Sequence, residues 1–188
     1  MKATKLILSS IVLTQFIGLR ANAGVGLEID PATYAFKGDS LHIKFTPDQS
    51  PQWRLGFGTY SMEVPDLMID INEENRDENW DVEIKRAYGL FTEYYFNSSQ
   101  SGWFVGGQIS QQKFQIEKIG VQSTEFTNNL FMMNLGYKWK IKNSSFYMLP
   151  WAGIGYTKTV DNKHARVESG FDVNPVVAFM TVHLGYEF

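Results

Sequence analysis

The strongest constraint on the fold is the side-chain alternation in residues 172–188, which read DVNPVVAFMTVHLGYEF. Every second position is apolar: Val176, Ala178, Met180, Val182, Leu184 and Tyr186. From residue 181 on, the positions between them are polar or small: Thr181, His183, Gly185 and Glu187. Because successive side chains of a β-strand point to opposite faces, this pattern predicts a strand with one apolar face. Phe188 continues the apolar face, which suits a strand of a transmembrane barrel.

Residues 1–23 have the composition of a secretory signal peptide. They contain, in order, Lys2, Lys5, an apolar stretch over 6–19 and Ala21-Asn22-Ala23. This order predicts a cleavable export signal. A retained anchor is the weaker interpretation, because the apolar stretch is short for a membrane span. Removing 23 residues from 188 leaves 165, so we predict one domain over 24–188.

Composition narrows the possible functions. The chain has no cysteine, so disulfides and thiolate metal sites are excluded. A net charge of -3 gives no basic surface for nucleic acid, and we expect no nucleic acid partner. The mean hydropathy of -0.22 is compatible with a membrane barrel, in which only every second residue faces lipid. We predict no cofactor.

Turn-forming residues divide the rest of the chain into alternating segments. They predict an all-β fold, an up-and-down antiparallel eight-stranded transmembrane β-barrel. The predicted strands cover 24–35, 39–46, 51–62, 82–96, 102–116, 126–140, 145–159 and 173–188. The short links Pro47–Ser50, Asn97–Ser101 and Lys142–Ser144 fall at one end, and the longer links 63–81, 117–125 and 160–172 fall at the other. This separation is typical of outer-membrane barrels.

Alternation also predicts which side chains face lipid. In one strand the lipid-facing set is Val82, Ile84, Tyr88, Leu90, Tyr94 and Phe96, opposite Glu83, Lys85, Glu93 and Tyr95. In two others the lipid-facing sets are Phe131, Met133, Leu135, Tyr137 and Trp139, and Trp53, Leu55 and Phe57. Aromatic residues near strand ends are expected to form girdles at the membrane interfaces, at Trp53, Trp103, Tyr137, Trp139, Tyr156 and Tyr186.

Two stretches resemble a known class of proteins. The ending His183–Phe188 resembles the closing strand of bacterial outer-membrane β-barrels, and Leu149–Tyr156 resembles a Pro-aromatic-x-Gly-x-Gly-Tyr strand found in small members of that class. The resemblance implies that Phe188, Tyr186 and Leu184 form an assembly signal. It also implies a monomer in outer-membrane lipid and lipopolysaccharide, exported by the secretion machinery and inserted by the barrel-insertion machinery.

The inward positions collect charges of both signs. A barrel of this size is filled by side chains, and an unpaired buried charge costs several kcal/mol. We therefore predict a polar network inside the barrel, built from Arg54, Lys85, Glu93 and Lys138. Such a network favours a plugged barrel over a pore, since a wide pore needs about 16 strands.

The predicted external loop 63–81 is strongly acidic. Asp70, Asn72, Glu74, Glu78 and Asp81 match positions of a calcium-binding loop, but Asn75 stands where that loop requires glycine. The five are weak metal candidates, and a solvated acidic loop is the preferred interpretation.

The leading functional hypothesis is a non-enzymatic structural or surface-interaction protein of the outer membrane. The alternatives are a narrow channel for small solutes, a lipid A-modifying enzyme and a soluble lipocalin-like binder. Lipid A deacylases carry a His-x-Ser pair, whereas here His183 precedes Gly185 and His42 precedes Lys44 at that spacing. We assign no catalytic residue.

Overall fold

The computed structural model describes residues 24–97, 99–161 and 163–188. The predicted signal peptide, residues 1–23, lies outside the described residues. Within the described ranges, eight antiparallel strands follow each other in sequence order and close into a barrel through a β1–β8 pair, which confirms the predicted fold class. The elements are β1 Gly24–Ile29, α1 Pro31–Ala35, β2 Asp39–Thr46, β3 Trp53–Glu63, α2 Asp66–Ile69, β4 Asp81–Tyr95, β5 Gly102–Lys118, β6 Val121–Lys140, β7 Phe146–Asp161, α3 Lys163–Ser169 and β8 Val176–Glu187. None of the helices in these ranges is both long and apolar enough to cross a membrane.

The two ends of the barrel differ in their connections. The links that follow β2, β4 and β6 lie at one end, called here the turn end, together with Gly24 and Phe188. The opposite end, called the loop end, carries α1, the longer segments 64–80 and 163–175, and the turn between β5 and β6. The predicted separation of short from long links therefore holds for every link except the one between β5 and β6, which is a two-residue turn at the loop end.

The first predicted strand, 24–35, is wrong beyond Ile29. The Asp30 side chain accepts a hydrogen bond from the Ala32 backbone N–H at 3.0 Å, and Pro31 occupies the first helical turn. An N-cap aspartate followed by proline starts a helix, because proline has no N–H to donate to a strand neighbour. The chain accordingly turns into α1 and leaves the sheet.

The predicted loop 117–125 is also wrong. Strand β5 continues to Lys118 and β6 begins at Val121, so the two strands form a long hairpin joined at Ile119 and Gly120. Gly120 has φ +82°, a left-handed conformation that glycine adopts without steric cost. This polar hairpin is the longest strand pair in the described chain.

The lipid-facing assignment fails at the start of β4. Pairing with β5 jumps from Ile84–Phe114 to Arg86–Lys113, so Lys85 is the extra residue of a β-bulge. The bulge reverses the alternation: Val82 and Ile84 are buried, whereas Lys85 has a 41% exposed side chain and pairs with Glu83 outside the barrel. The predicted inward orientation of Glu83 and Lys85 is therefore not found.

Elsewhere the predicted faces are correct. The apolar faces predicted for β3, β6 and β8 are exposed on the outside, as are Tyr88 and Leu90 beyond the bulge of β4. At the turn end, outward aromatic rings contact each other in pairs, with centroids 5.1 Å apart for Trp53 and Tyr94 and 5.4 Å apart for Trp103 and Tyr137.

Inward glycines make space for large side chains on neighbouring strands. A Cβ atom on Gly185 would overlap the Tyr147 ring, and one on Gly26 would overlap the Arg54 guanidinium. Overpacking of this kind typically costs about 1–3 kcal/mol. These glycines therefore leave room for two of the largest polar side chains among the buried residues, Arg54 and Tyr147.

We predict that Gly185→Ala lowers the free energy of unfolding by about 1–3 kcal/mol. The added methyl group overlaps the Tyr147 ring, and the hydrogen bonds of the Tyr147 hydroxyl keep the ring from moving away. The matched control is Gly107→Ala, where the nearest atom to an added Cβ is 3.6 Å away. Denaturant unfolding of both refolded variants measures the difference. Equal stability of the two would contradict the role assigned to Gly185.

Candidate functional site

Four charged side chains form a buried cluster in the turn-end half of the barrel. Arg54 Nη1 lies 2.5 Å from Glu28 Oε1 and 3.5 Å from Glu93 Oε2. Lys44 Nζ lies 2.5 Å from Glu93 Oε1 and 3.7 Å from Glu28 Oε2. Each cation thus contacts both anions, and no side chain of the four is more than 6% exposed.

Tyrosine hydroxyls extend this cluster. Tyr147 accepts a hydrogen bond from Arg54 and donates one to Glu28 Oε1 at 2.8 Å. Tyr95 donates to Glu93 Oε2 at 2.8 Å. These bonds occupy the carboxylate lone pairs that the cations leave open, as a buried charge requires.

The cluster contains only part of the predicted network. Arg54 and Glu93 belong to it, whereas Lys138 lies closer to the turn end and pairs with Glu187, its Nζ 4.1 Å from the centroid of the Tyr147 ring. Lys85 is outside the barrel because of the β4 bulge.

Two charged members of the cluster, Glu28 and Lys44, and both of its tyrosines, Tyr95 and Tyr147, were missing from the predicted network. Glu28 and Lys44 shared its inward parity, which is the signal that could have placed them. Tyr147 had no such signal, because both faces of its strand are apolar or glycine.

A layer of rings covers the cluster on its loop-end side. The His42 ring centroid lies 4.9 Å from that of Phe91 and 4.8 Å from that of His183, and Trp151 packs against His183 at 5.7 Å. His183 Nδ1 lies 3.1 Å from Glu28 Oε2, and Lys44 Nζ lies 4.7 Å from the Phe91 centroid. Ring layer and ionic cluster are therefore in direct contact.

Glu28, His42 and His183 offer ligand atoms within 4.8 Å of one another, the only such group within the described ranges. A metal ion there would share Glu28 with the guanidinium of Arg54 and the ammonium of Lys44. Two adjacent cations oppose a third, so the electrostatics of the cluster disfavour a metal.

The five weak calcium candidates do not converge. Glu78 pairs with Lys118, Asn72 donates to Asp172, and Asp81 lies in β4 opposite Glu117. Across the part of the chain that the structure describes, Asp70, Glu74, Glu78 and Asp81 belong to no group of three potential metal-ligating side chains.

A cavity of about 370 Å³ lies between the ring layer and the loop end. His42, Phe91, Trp151 and His183 contribute to its lining, together with apolar side chains of β3 to β6. Its size lies within the range of small-molecule pockets. The interior is thus divided into a filled ionic half and a partly empty apolar half.

Comparisons with known proteins find solved structures with a similar backbone. The chain resembles the crystal structure of Neisserial surface protein A at 9% identity and TM-score 0.46, covering 88% of this chain and 94% of that one. It also resembles the N-terminal β-barrel domain of Pseudomonas aeruginosa OprF at 10% identity and TM-score 0.46, covering 88% and 97%. No protein-family model and no curated protein sequence matches it.

We predict that Arg54→Met lowers the free energy of unfolding by about 3–5 kcal/mol, because it leaves two buried carboxylates facing one lysine. The matched control is Lys85→Met, which removes a solvent-accessible lysine and changes stability by at most about 1 kcal/mol. Denaturant unfolding of the refolded proteins compares them. If Arg54→Met lowers the free energy of unfolding no more than Lys85→Met does, the cluster does not stabilise the barrel.

Proposed function

We propose that this chain is an integral β-barrel protein of the outer membrane of a Gram-negative type of bacterium, with a structural or surface-interaction role. The outer face carries the proposal: Leu55, Leu90, Ile109, Leu135 and Ile154 project outward and are 47–61% exposed. Soluble proteins rarely expose a continuous apolar surface larger than a few hundred Å². Lipid would cover this belt, while closure of the barrel satisfies the strand hydrogen bonds internally.

The aromatic pairs at the turn end support the same environment. Tryptophan and tyrosine are favoured at membrane interfaces, where one part of the ring is apolar and the other wet. Trp53, Trp103 and their tyrosine partners form such a group on the outer surface. With short turns on the periplasmic side, as in other outer-membrane barrels, the loop end faces the cell exterior.

A soluble lipocalin-like barrel is disfavoured by the distribution of side chains. Such a barrel has a wet outer face and an apolar interior. Here the charged cluster of Arg54, Glu28, Glu93 and Lys44 is inside, and aliphatic side chains are outside.

A catalytic role in acyl transfer is also disfavoured. A serine hydrolase needs a nucleophile hydrogen-bonded to its histidine base. Within the described residues, His183 bonds to Glu28 and neither it nor His42 accepts from a serine hydroxyl. We therefore propose a non-enzymatic protein.

The exposed segments define the expected partners. The acidic segment 64–80 and the segment 163–175 would lie among lipopolysaccharide and meet the cell exterior. Phe188, Tyr186 and Leu184 share the outer face of β8 and are 36–76% exposed. We propose that this surface is recognised by the barrel-insertion machinery, after export by the secretion machinery, and that the inserted protein is a monomer.

We predict that the mature protein refolded in detergent migrates differently on gels before and after heating, because the closed barrel resists unfolding by detergent alone. In cells, a variant lacking Phe188 should fail to reach the outer membrane, whereas Ile119→Ala at the tip of the exposed β5–β6 turn should insert normally. Cell fractionation compares the two. A protein soluble without detergent and indifferent to the loss of Phe188 would overturn the membrane assignment.

We predict that the unmodified protein gives no stepwise ion currents in planar bilayers, because Arg54, Tyr147 and their partners fill the interior. Joint replacement by Arg54→Ser and Tyr147→Ser should create a leak in molecules that still form the heat-sensitive barrel. Currents of equal size with both proteins would favour the channel alternative instead.

A further inference from the structure

The cavity in the loop-end half of the barrel has apolar walls. Met62, Val82, Ile84, Phe114, Leu130 and Met132 line it. Most of these side chains are less than 9% exposed, so they face the space without being open to solvent. Apolar walls of this extent favour an apolar occupant over a charged or sugar-like one.

Two loop-end segments form a roof over this space. Asn75 Nδ2 donates to the Asp172 carbonyl oxygen at 2.8 Å, and the Asp172 N–H donates to Asn75 Oδ1 at 3.0 Å. Phe171 packs against Trp80 and Phe126 beneath these bonds. The roof joins segments 64–80 and 163–175, and this connection obstructs direct entry from the exterior.

The barrel wall is incomplete beside the cavity. Strands β1 and β8 pair only from Gly26–Glu187 to Ile29–Leu184, so within the described chain residues 176–183 of β8 have no β1 partner. Helix α1 lies in this place, and a hydrogen bond from Thr181 Oγ1 to Asp30 Oδ1 at 2.7 Å spans the gap between β8 and the start of the helix. We call this opening between α1 and β8 the seam.

The cavity reaches the outer surface through the seam. Its lining includes Val177 and Phe179 from the inner face of β8, and also Val176 and Ala178 from the outer face. Residues of both faces can line one space where the edge of a strand is open, and within the described chain β8 has no β1 partner at these four residues. In the proposed orientation, the seam opens sideways into the lipid of the outer membrane.

Buried polar atoms at the floor of the cavity lack a hydrogen-bond partner within the described chain. His42 is only 3% exposed, so solvent cannot bind its ring nitrogens. Neither nitrogen has a hydrogen-bond partner among the described residues. On the wall of the cavity, Asn128 Oδ1 is also buried without a hydrogen-bond partner in the described ranges. Buried polar groups are nearly always paired, so these atoms indicate a polar group that completes the site.

We infer that the cavity binds one single-chain amphiphile of the fatty-acid class, taken up from the membrane through the seam, with its carboxyl group on His42 and its chain along the apolar wall. A carboxyl group offers a donor and an acceptor, as a neutral imidazole does. The acyl chain of an intact lipid would enter with its methyl end and leave His42 unpaired. The inference rests on the proposed function, because the membrane supplies the ligand.

The test uses tryptophan fluorescence in lipid vesicles. Of the five tryptophans, Trp53, Trp103 and Trp139 are exposed on the outer face and are replaced by phenylalanine, leaving Trp80 and Trp151 to report on the cavity. Dibromostearic acid is the quenching ligand. Its methyl ester and a phospholipid with brominated chains distinguish the free acid from other sources of an acyl chain.

We expect saturable quenching by the free acid. His42→Phe should raise the half-saturating concentration roughly fivefold or more, the effect of losing about one hydrogen bond. This variant keeps a ring in place and removes only nitrogens that have no partner within the described chain, so the barrel should fold normally. Met132→Phe, which narrows the cavity, should weaken quenching as well.

Matched controls lie one residue further along the same strands. Ile43→Phe and Met133→Phe alter exposed outward side chains and should leave quenching unchanged. Equal quenching by acid and ester, or no response to His42→Phe, would overturn the carboxyl assignment. If only the brominated phospholipid quenches the fluorescence, the occupant of the cavity is the acyl chain of an intact lipid and not a free acid.

The membrane assignment is measured separately. Heat-sensitive gel mobility and vesicle insertion of the same samples report whether the barrel forms. Linear, non-saturable quenching in a properly inserted barrel rejects the cavity site and leaves the proposed function intact. Failure to insert at all rejects the proposed function, and the inference with it.

Discussion

The contact of Arg54 with Glu28 is the interaction on which the rest of the interior depends. Glu28 lies on β1, and Arg54, Glu93 and Tyr147 bring β3, β4 and β7 to the same point. The β1–β8 pair that closes the barrel is short. Backbone pairing alone therefore holds the barrel closed only weakly. Side-chain contacts of Glu28 with Tyr147 and His183 strengthen this closure. Because each charge is buried, the cluster is stable only when all its members are in place.

The sequence predicts orientation well wherever a strand is regular. Arg54 is inward and Leu55 outward, as the period of two requires. The rule fails at Lys85 because a bulge depends on how three strands pair, and β3 has its own irregularity between Tyr60 and Met62 against the same strand. No local composition marks such a register shift. Convergence of Glu28, His42 and His183 likewise depends on strand stagger, which alternation does not determine.

Other errors concern signals that were present in the chain. Asp30-Pro31 carries both an N-cap and a first-turn proline, and a strand through this point would lose a ladder hydrogen bond. Gly120 marks the tight turn of the β5–β6 hairpin, which was concealed because Lys118 and Gln122 give the tip the polarity of a loop. A strand that extends beyond the apolar belt has no reason to keep an apolar face, so polarity alone cannot distinguish it from a loop.

The division of the interior follows from what each kind of side chain can tolerate. Buried charged groups need contacts with their partners on all sides. Arg54 and Lys44 therefore lie where Gly26 and Gly56 leave room for them, and the turn-end half of the interior is filled. Apolar side chains have no such requirement, while the strand hydrogen bonds fix the width of the barrel. The loop-end half therefore retains a space that its side chains do not fill. Under the proposed function, a barrel built this way would resist the passage of ions along its axis and would open to lipid on the side where β1 is too short to accompany β8.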